Sequence, residues 1–309
     1  MDDKRPILIV HGGAHPKPAP REAGSHAPTP GATSDGLVRA CEAGWKVLES
    51  DGSALDAVCE AIRVLEDDER FNAGRGSVLT RAGTVQMDAC VSCGATRRAA
   101  GVGAIENVRH PVDAARIVMD QSTHALLVGR DATDFVRHRG VELRNLDWFV
   151  TEERSRQLEA FSETDPASAP ASAFAETVGA LALDSAGHLA AGTSTGGILG
   201  SLCGRVGDSA VPGVACWADD ETCALVVTGD GDPVLRSGFA ARVDALVRSG
   251  TVLREACRQA WSVVAAIGGR GASIALSPRG EVVVVCEAAT LEWAAATASG
   301  VETRISDQR

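Results

Sequence analysis

The sequence holds no histidine after His188, no HExxH run and no GxxxxGK run. The first absence matters because Gly192-Thr193-Ser194-Thr195-Gly196 matches the GxSxG serine-hydrolase elbow. That elbow needs its acid and then its histidine downstream of the serine, so it cannot operate here. Without HExxH the common zinc-peptidase helix is excluded, and without GxxxxGK the phosphate loop is excluded. No apolar run approaches the roughly 20 residues of a membrane helix. A basic surface is missing as well: net charge is -11, which argues against nucleic-acid or anionic-membrane partners. The start, Met1-Asp2-Asp3-Lys4-Arg5, lacks a basic segment followed by a long apolar one, so no secretory signal is expected. The nine cysteines are odd in number and scattered, which fits reduced thiols and a cytoplasmic location. Cys90-Val91-Ser92-Cys93 is a lone CxxC with no second pair, so no metal or redox use is expected of it.

What is present is an ordinary globular composition, 45% hydrophobic and 23% charged over 309 residues. Ile7–Val10 reads as a buried strand running into the turn His11-Gly12-Gly13-Ala14. His11 could serve as a ligand or a base, but is read first as a core or turn histidine bonded to backbone. Residues 15–31 hold five prolines and read as a surface loop. Helical spacing follows over 33–49 (Leu37, Cys41, Trp45, Leu48) and over 53–66, with Ser53 as its cap. Val78–Thr80 and Thr84–Ala89 suggest a hairpin around Ala82-Gly83. A strand is expected over 100–105 and helices over 111–120 and 130–138, while 141–160 has no clear period. Residues 161–176 are mostly Ala, Ser and Pro and read as a flexible linker.

Beyond the linker come strands at 178–183, 188–191, 213–218, 222–228, 273–276 and 281–287, and helices at 233–248 and 251–267. Both halves mix helices with antiparallel strand pairs, which predicts a layered α+β fold rather than alternating βαβ units.

The linker runs straight into Thr177 and the apolar run Val178–Leu183. A threonine hydroxyl is a weak nucleophile unless a base stands beside it. If the chain is cut at Glu176–Thr177, the new α-amino group of Thr177 can be that base. Its unperturbed pKa, about 7.7–8, lies near working pH. The plainer alternative is that Thr177 is simply a β-favouring residue at a strand start.

Several motifs stand in order along nearly the whole chain. They are His11–Ala14, Gly52–Val58, Leu65-Glu66-Asp67, Phe71–Gly76, Met87-Asp88-Ala89, Thr177-Val178-Gly179, Thr193–Gly197, Gly204–Ser209 and Thr228–Gly231. On these motifs the sequence resembles the plant-type L-asparaginase / isoaspartyl peptidase family. Members of that family are N-terminal nucleophile hydrolases with an αββα sandwich, which self-cleave into α and β subunits.

The resemblance implies an α subunit of residues 1–176 and a β subunit of residues 177–309. It implies an amidohydrolase that acts on L-asparagine or β-aspartyl dipeptides. Thr177 would be the nucleophile and Thr195 its support. Thr228 and Gly229 would form the oxyanion hole. Arg205 would grip the substrate α-carboxylate as a two-pronged donor. Asp208 would hold the α-ammonium with help from the Gly231 backbone. Asn72 would reach the nucleophile region. The loop Leu65–Arg75 would bind a structural sodium, mostly through backbone carbonyls, with candidates Leu65, Glu66, Asp68, Phe71, Ala73 and Arg75. No cofactor is implied for the chemistry, and the expected assembly is a homodimer of αβ units, (αβ)2.

The sequence departs from the family pattern at Glu176, where glycine is usual, at Val91–Gly94 and at Ile198–Cys203. Two rivals stand beside this reading, the first favoured by Gly187–Thr195 and Val211-Pro212-Gly213 and the second by Glu176. One is a glycosylasparaginase-like cleavage of sugar-linked asparagine. The other is an uncleaved, non-catalytic homologue that binds aspartyl ligands.

Overall fold

The computed structural model describes residues 6–15, 33–162, 176–288 and 290–307. The expected 15–31 loop, beyond His15, and residues 163–175 of the expected linker lie outside the described residues.

The first half of the chain contributes β1 (Ile7–His15), α1 (Ser34–Glu49), α2 (Ala54–Asp67), β2 (Met87–Cys93), β3 (Arg98–Ile105), α3 (Pro111–Gln121), β4 (Leu126–Val128), α4 (Gly129–Arg137), α5 (Leu146–Phe149) and α6 (Glu152–Ser162). The second half contributes β5 (Val178–Leu183), β6 (Leu189–Thr195), β7 (Cys216–Asp219), β8 (Cys223–Gly229), α7 (Gly231–Ser237), α8 (Phe239–Arg248), α9 (Leu253–Ala266), β9 (Gly271–Leu276), β10 (Val282–Cys286), β11 (Thr290–Thr297) and β12 (Gly300–Asp307).

Two sheets stack face to face. The larger has the order β12-β11-β1-β5-β6-β2-β3-β4 and the smaller β10-β9-β8-β7. Every named pairing is antiparallel except β3 with β4. Three apolar layers hold the stack together. One lies between α1–α4 and the larger sheet, around Val58, Ile62 and Met87. A second lies between the sheets, around Ile9, Leu181, Val226 and Ile274. The third joins the smaller sheet to α7–α9 through Phe239 and Trp261. The architecture is therefore α+β, layered helix–sheet–sheet–helix.

This layering explains why β5 (VGALAL) does not alternate: both of its faces are covered, and all six residues are buried. Small residues also let the layers close. A Cβ at Gly192 of β6 would come within 2.7 Å of Ile62 Cδ1 and Val58 Cγ1 on α2. As expected, α2 is capped by Ser53, whose hydroxyl accepts from Asp56 N.

Four expectations need correction. Thr80–Thr84 form only a turn, closed by Thr80 N donating to Thr84 O at 2.8 Å. The strand itself starts at Met87 and pairs with β3 and β6, because non-local partners win over the nearby one. The 233–248 helix breaks at Gly238, which sits in the left-handed region at φ 60. Residues 141–160, which showed no period, hold α5 and most of α6, and α6 carries helix through Ser162 into the expected linker. The last two strands, β11 and β12, were not foreseen.

Candidate active site

The register of the central strands gathers the hydroxyls. Thr177 directly precedes β5, whose Val178 pairs with Ser194 of β6. One step further along that register faces Thr177 towards Thr195. Thr195 is itself paired with Asp88 of β2. Thr228 and Gly229 end β8 in the other sheet. The two sheets are tied at this end by β1, which shifts register between His11 and Ala14. The shift frees Ala14 N to donate to Thr228 Oγ1 at 3.3 Å.

Thr177, Thr195, Arg205, Asp208, Gly229 and Gly231 line one cleft, together with Gly197, Ile198 and Gly207. Thr177 is buried, and its Oγ1 lies 3.2 Å from Ser209 Oγ. Ser209 is fixed in turn by its carbonyl, which accepts from Thr193 Oγ1 at 3.0 Å. Thr195 Oγ1 accepts from Gly197 N at 3.1 Å. Thr228 Oγ1 accepts from Ala14, so its own proton remains to be donated. Asn72 stands behind the cleft wall rather than on it. Its Nδ2 donates to Gly197 O at 2.8 Å, its Oδ1 accepts from Val78 N at 2.9 Å, and its carbonyl accepts from Gly196 N at 2.9 Å. It clamps the turn that follows Thr195.

The Arg205–Asp208 turn carries the charge. Arg205 Nη2 lies 3.2 Å from Asp232 Oδ2, while its buried Nε has no partner among the described residues. Asp208 is buried, with Oδ2 also unpartnered among the described residues. Burial pushes its carboxyl up to about 7, with the Arg205 charge opposing and Asp88 and Asp232 adding to the rise. Asp88 sets the turn: its Oδ2 accepts from Gly207 N at 2.6 Å and its Oδ1 from Ala104 N at 2.8 Å. Burial raises the Asp88 carboxyl, against those two hydrogen bonds. A donor fork and a carboxylate in one cleft, each with an unsatisfied atom, suit a small zwitterion.

In the Leu65–Arg75 loop the acidic and basic side chains are engaged elsewhere. Glu66 Oε1 accepts from Ser194 Oγ at 2.6 Å and Val112 N at 3.0 Å, and burial drives this carboxyl well above its usual range. Ser194 of the GxSxG run is thus a strut to α2. Asp68 pairs with Arg39 and Arg70, and Arg75 with Glu69. The carbonyls of Leu65, Asp68 and Ala73 accept from Asp68 N, Phe71 N and Gly76 N. Each carbonyl keeps a second lone pair, so backbone oxygens are the donors this loop can offer a cation. Among the described residues no cluster of three or more His, Cys, Asp or Glu could hold a metal ion.

His11 differs from expectation. It is buried, but among the described residues neither ring nitrogen has a hydrogen-bond partner, and burial holds its pKa down to about 3. Ser209, Thr193 and Asp88 were given no role from sequence, although all three lie inside the motifs quoted above. Their bonds run between segments far apart in the chain, which residue spacing does not report.

A family model described as Asparaginase matches residues 4–305. The chain belongs to this asparaginase family. It is 43% identical over 250 residues to the isoaspartyl peptidase of Salmonella typhimurium, covering 78% of this chain and 80% of the relative. It is 35% identical over 294 residues to the isoaspartyl peptidase/L-asparaginase of Homo sapiens, covering 94% and 93% respectively. The asparaginase match spans both sheets, and every residue of the cleft falls within it. No helix among the described residues is long and apolar enough to cross a membrane.

Proposed function

We propose that this chain is an N-terminal threonine amidohydrolase for L-asparagine and β-aspartyl dipeptides. The observation that carries the reading is a single cleft lined by Thr177, Thr195, Arg205, Asp208 and Gly229. The sequence names of its relatives support the substrate class.

Maturation comes first. Thr177 Oγ attacks the Glu176 carbonyl carbon, the C–N bond breaks, and the hydroxyl proton ends on the departing nitrogen as part of the new α-amine. Water then hydrolyses the resulting ester, leaving a Glu176 carboxylate and a free Thr177 hydroxyl. The α subunit is then 1–176 and the β subunit 177–309.

In turnover the free amine takes the Thr177 hydroxyl proton as Oγ attacks the substrate's side-chain amide carbonyl. Arg205 holds the substrate α-carboxylate and Asp208 the α-ammonium, with Gly231 beside them. Thr228 Oγ–H and Gly229 N–H face the oxyanion; one such donor is typically worth about 2.7–4 kcal/mol. The proton passes to the leaving nitrogen, which departs as ammonia or as an amino acid. Water then cleaves the aspartyl ester and restores Thr177. Thr195 keeps the nucleophile oriented and Asn72 holds the turn behind it.

A structural sodium on the carbonyls of Leu65, Glu66, Asp68, Phe71, Ala73 and Arg75 belongs to the same reading, and would stiffen the loop that carries Asn72. So do an (αβ)2 assembly and a cytoplasmic location.

Intact mass and substrate assays on wild type and Thr177→Ala test the reading. The wild type should yield two chains that end at Glu176 and begin at Thr177, and should release ammonia from asparagine. Thr177→Ala should remain one 31.9 kDa chain without activity. Hydrolysis by Thr177→Ala overturns the proposal.

A further inference from the structure

Arg205, the cation of the cleft, is already paired. Its Nη2 donates to Asp232 Oδ2 at 3.2 Å. Asp232 is the second residue of α7, directly after Gly231, and does not itself line the cleft. Its side chain is 58% exposed, whereas that of Arg205 is 17% exposed. The carboxylate therefore comes to the guanidinium from the solvent side, the side by which a substrate enters.

Arg205 does not need this contact to keep its place. Glycines wall the guanidinium in. Cβ atoms at Gly197 and Gly207 would stand 3.4 and 3.1 Å from its Nη1, and one at Gly231 would stand 3.0 Å from its Nη2. All three glycines line the cleft, so the nitrogen that Asp232 takes is turned towards the space a ligand would fill. The backbone is fixed as well, with Arg205 N donating to Leu202 O at 3.1 Å. The Asp232 contact is also long for a charged pair: Arg70–Asp68 closes to 2.6 Å and Arg109–Asp67 to 2.9 Å. It is one hydrogen bond, where a free carboxylate can meet the fork with both oxygens.

We propose that Asp232 is a specificity-determining residue, which occupies Arg205 in the empty cleft and yields it only to a ligand bearing an α-carboxylate. The inference rests on the amidohydrolase reading and adds an internal competitor to it. Asp232 acts through Arg205 and weakens binding by the share of molecules in which Arg205 is engaged. The apparent dissociation constant is the intrinsic one divided by the free fraction, so pairing in about two thirds to four fifths of molecules raises it about 3- to 5-fold. That size suits a half-exposed ion pair, which is weak. A substrate α-carboxylate replaces one negative group on Arg205 by another. A ligand without it has nothing to offer in exchange and leaves the Asp232 pair standing.

The test is the kinetics of asparagine hydrolysis by wild type, Asp232→Asn and Asp232→Glu at about pH 8.5, where Asp208, with its carboxyl at about 7, is ionised. Asp232→Asn should lower KM about 3- to 5-fold with kcat within about 2-fold of wild type, whereas Asp232→Glu, which keeps a carboxylate, should not. Inhibition by 3-aminopropanamide, which is asparagine without its α-carboxylate, should be no tighter in Asp232→Asn than in wild type. A loosened α7 would not lower KM, and thermal midpoints register it directly. If Asp232→Asn raises KM, the residue orients Arg205 and the proposal is overturned; an unchanged KM overturns it too. So does a KM that Asp232→Glu lowers equally, or 3-aminopropanamide binding that tightens as much as asparagine binding. A wild type that hydrolyses neither asparagine nor β-aspartyl dipeptides sinks the amidohydrolase reading, and calorimetry with the unhydrolysed asparagine still reads the Asp232 effect. A wild type that turns over asparagine, with KM unmoved by Asp232→Asn, sinks only this inference.

Discussion

Thr177 Oγ1 and Ser209 Oγ lie 3.2 Å apart, both buried, with Ser209 anchored through its carbonyl to Thr193. A nucleophilic hydroxyl with one rigid partner has its lone pair and proton directed before any substrate arrives. Ser209→Ala removes that partner and leaves Thr177 to find its own rotamer. A single hydrogen bond of this kind predicts a loss of about 3- to 10-fold in kcat/KM for a β-aspartyl dipeptide, with KM little changed. A loss confined to KM would show that Ser209 shapes the cleft instead.

Asp208 should govern the pH dependence of substrate binding. Its carboxyl titrates at about 7, raised by burial. The ionised form is needed to meet an α-ammonium, so kcat/KM should rise with pH through about 7. The Thr177 amine, whose unperturbed pKa is about 7.7–8, must also lose a proton, so the logarithmic slope below both should approach about 2. Asp208→Asn should weaken binding and reduce that slope to about 1. The sign for stability is the reverse. A carboxyl with a raised folded pKa binds more protons folded than unfolded, so its contribution is lost as pH rises from about 4 to about 7. Thermal midpoints of the free enzyme, wild type against Asp208→Asn, should converge at the low end of that range.

Asp88 is expected to matter although it does not line the cleft. Its two oxygens accept from Gly207 N and Ala104 N and so fix the turn that carries Arg205 and Asp208. Asp88→Asn sets an amide N–H₂ against one of those N–H donors. A buried donor left unsatisfied costs about 1–3 kcal/mol, which denaturant unfolding would register. KM should rise as well, because Arg205 and Asp208, the side chains proposed to hold the substrate, move with the turn. An unchanged KM with lower stability would place the role of Asp88 in the fold alone.

The parts legible in the sequence were those set by local chemistry. Val178–Leu183 was read to the residue because an apolar run ends at the turn Asp184–Gly187. Ser53 announced α2 because a hydroxyl cap acts within one turn. What escaped depends on distant partners. β12 is mostly exposed and mixes Glu302 and Arg304 with Val301 and Ile305, so only its pairing with β11 makes it a strand. Likewise α6 has a weak apolar face, and its buried anchor is a charged residue, Arg154. Motifs single out Thr177, Arg205 and Asp208, which share one cleft, whereas the Ser209, Thr193 and Asp88 contacts join segments up to 119 residues apart.

Gly231 offers the sharpest steric test of how the substrate is held. A Cβ there would stand 2.5 Å from Asp208 Oδ1 and 3.0 Å from Arg205 Nη2. It would push into both charged groups at once, from the first turn of α7, where the backbone cannot easily retreat. Gly231 is not at positive φ, so alanine costs the backbone little and helix propensity slightly favours it. Gly231→Ala should therefore keep its thermal midpoint and still cleave at Glu176–Thr177, since self-cleavage needs no free α-carboxylate or α-ammonium. Turnover should fall, with KM for asparagine and for β-aspartyl dipeptides raised by about 10-fold or more, the price of displacing one charged contact. Gel, melting curve and kinetics on one preparation separate the three effects. Normal KM with normal cleavage would mean that the substrate's charged end lies elsewhere in the cleft.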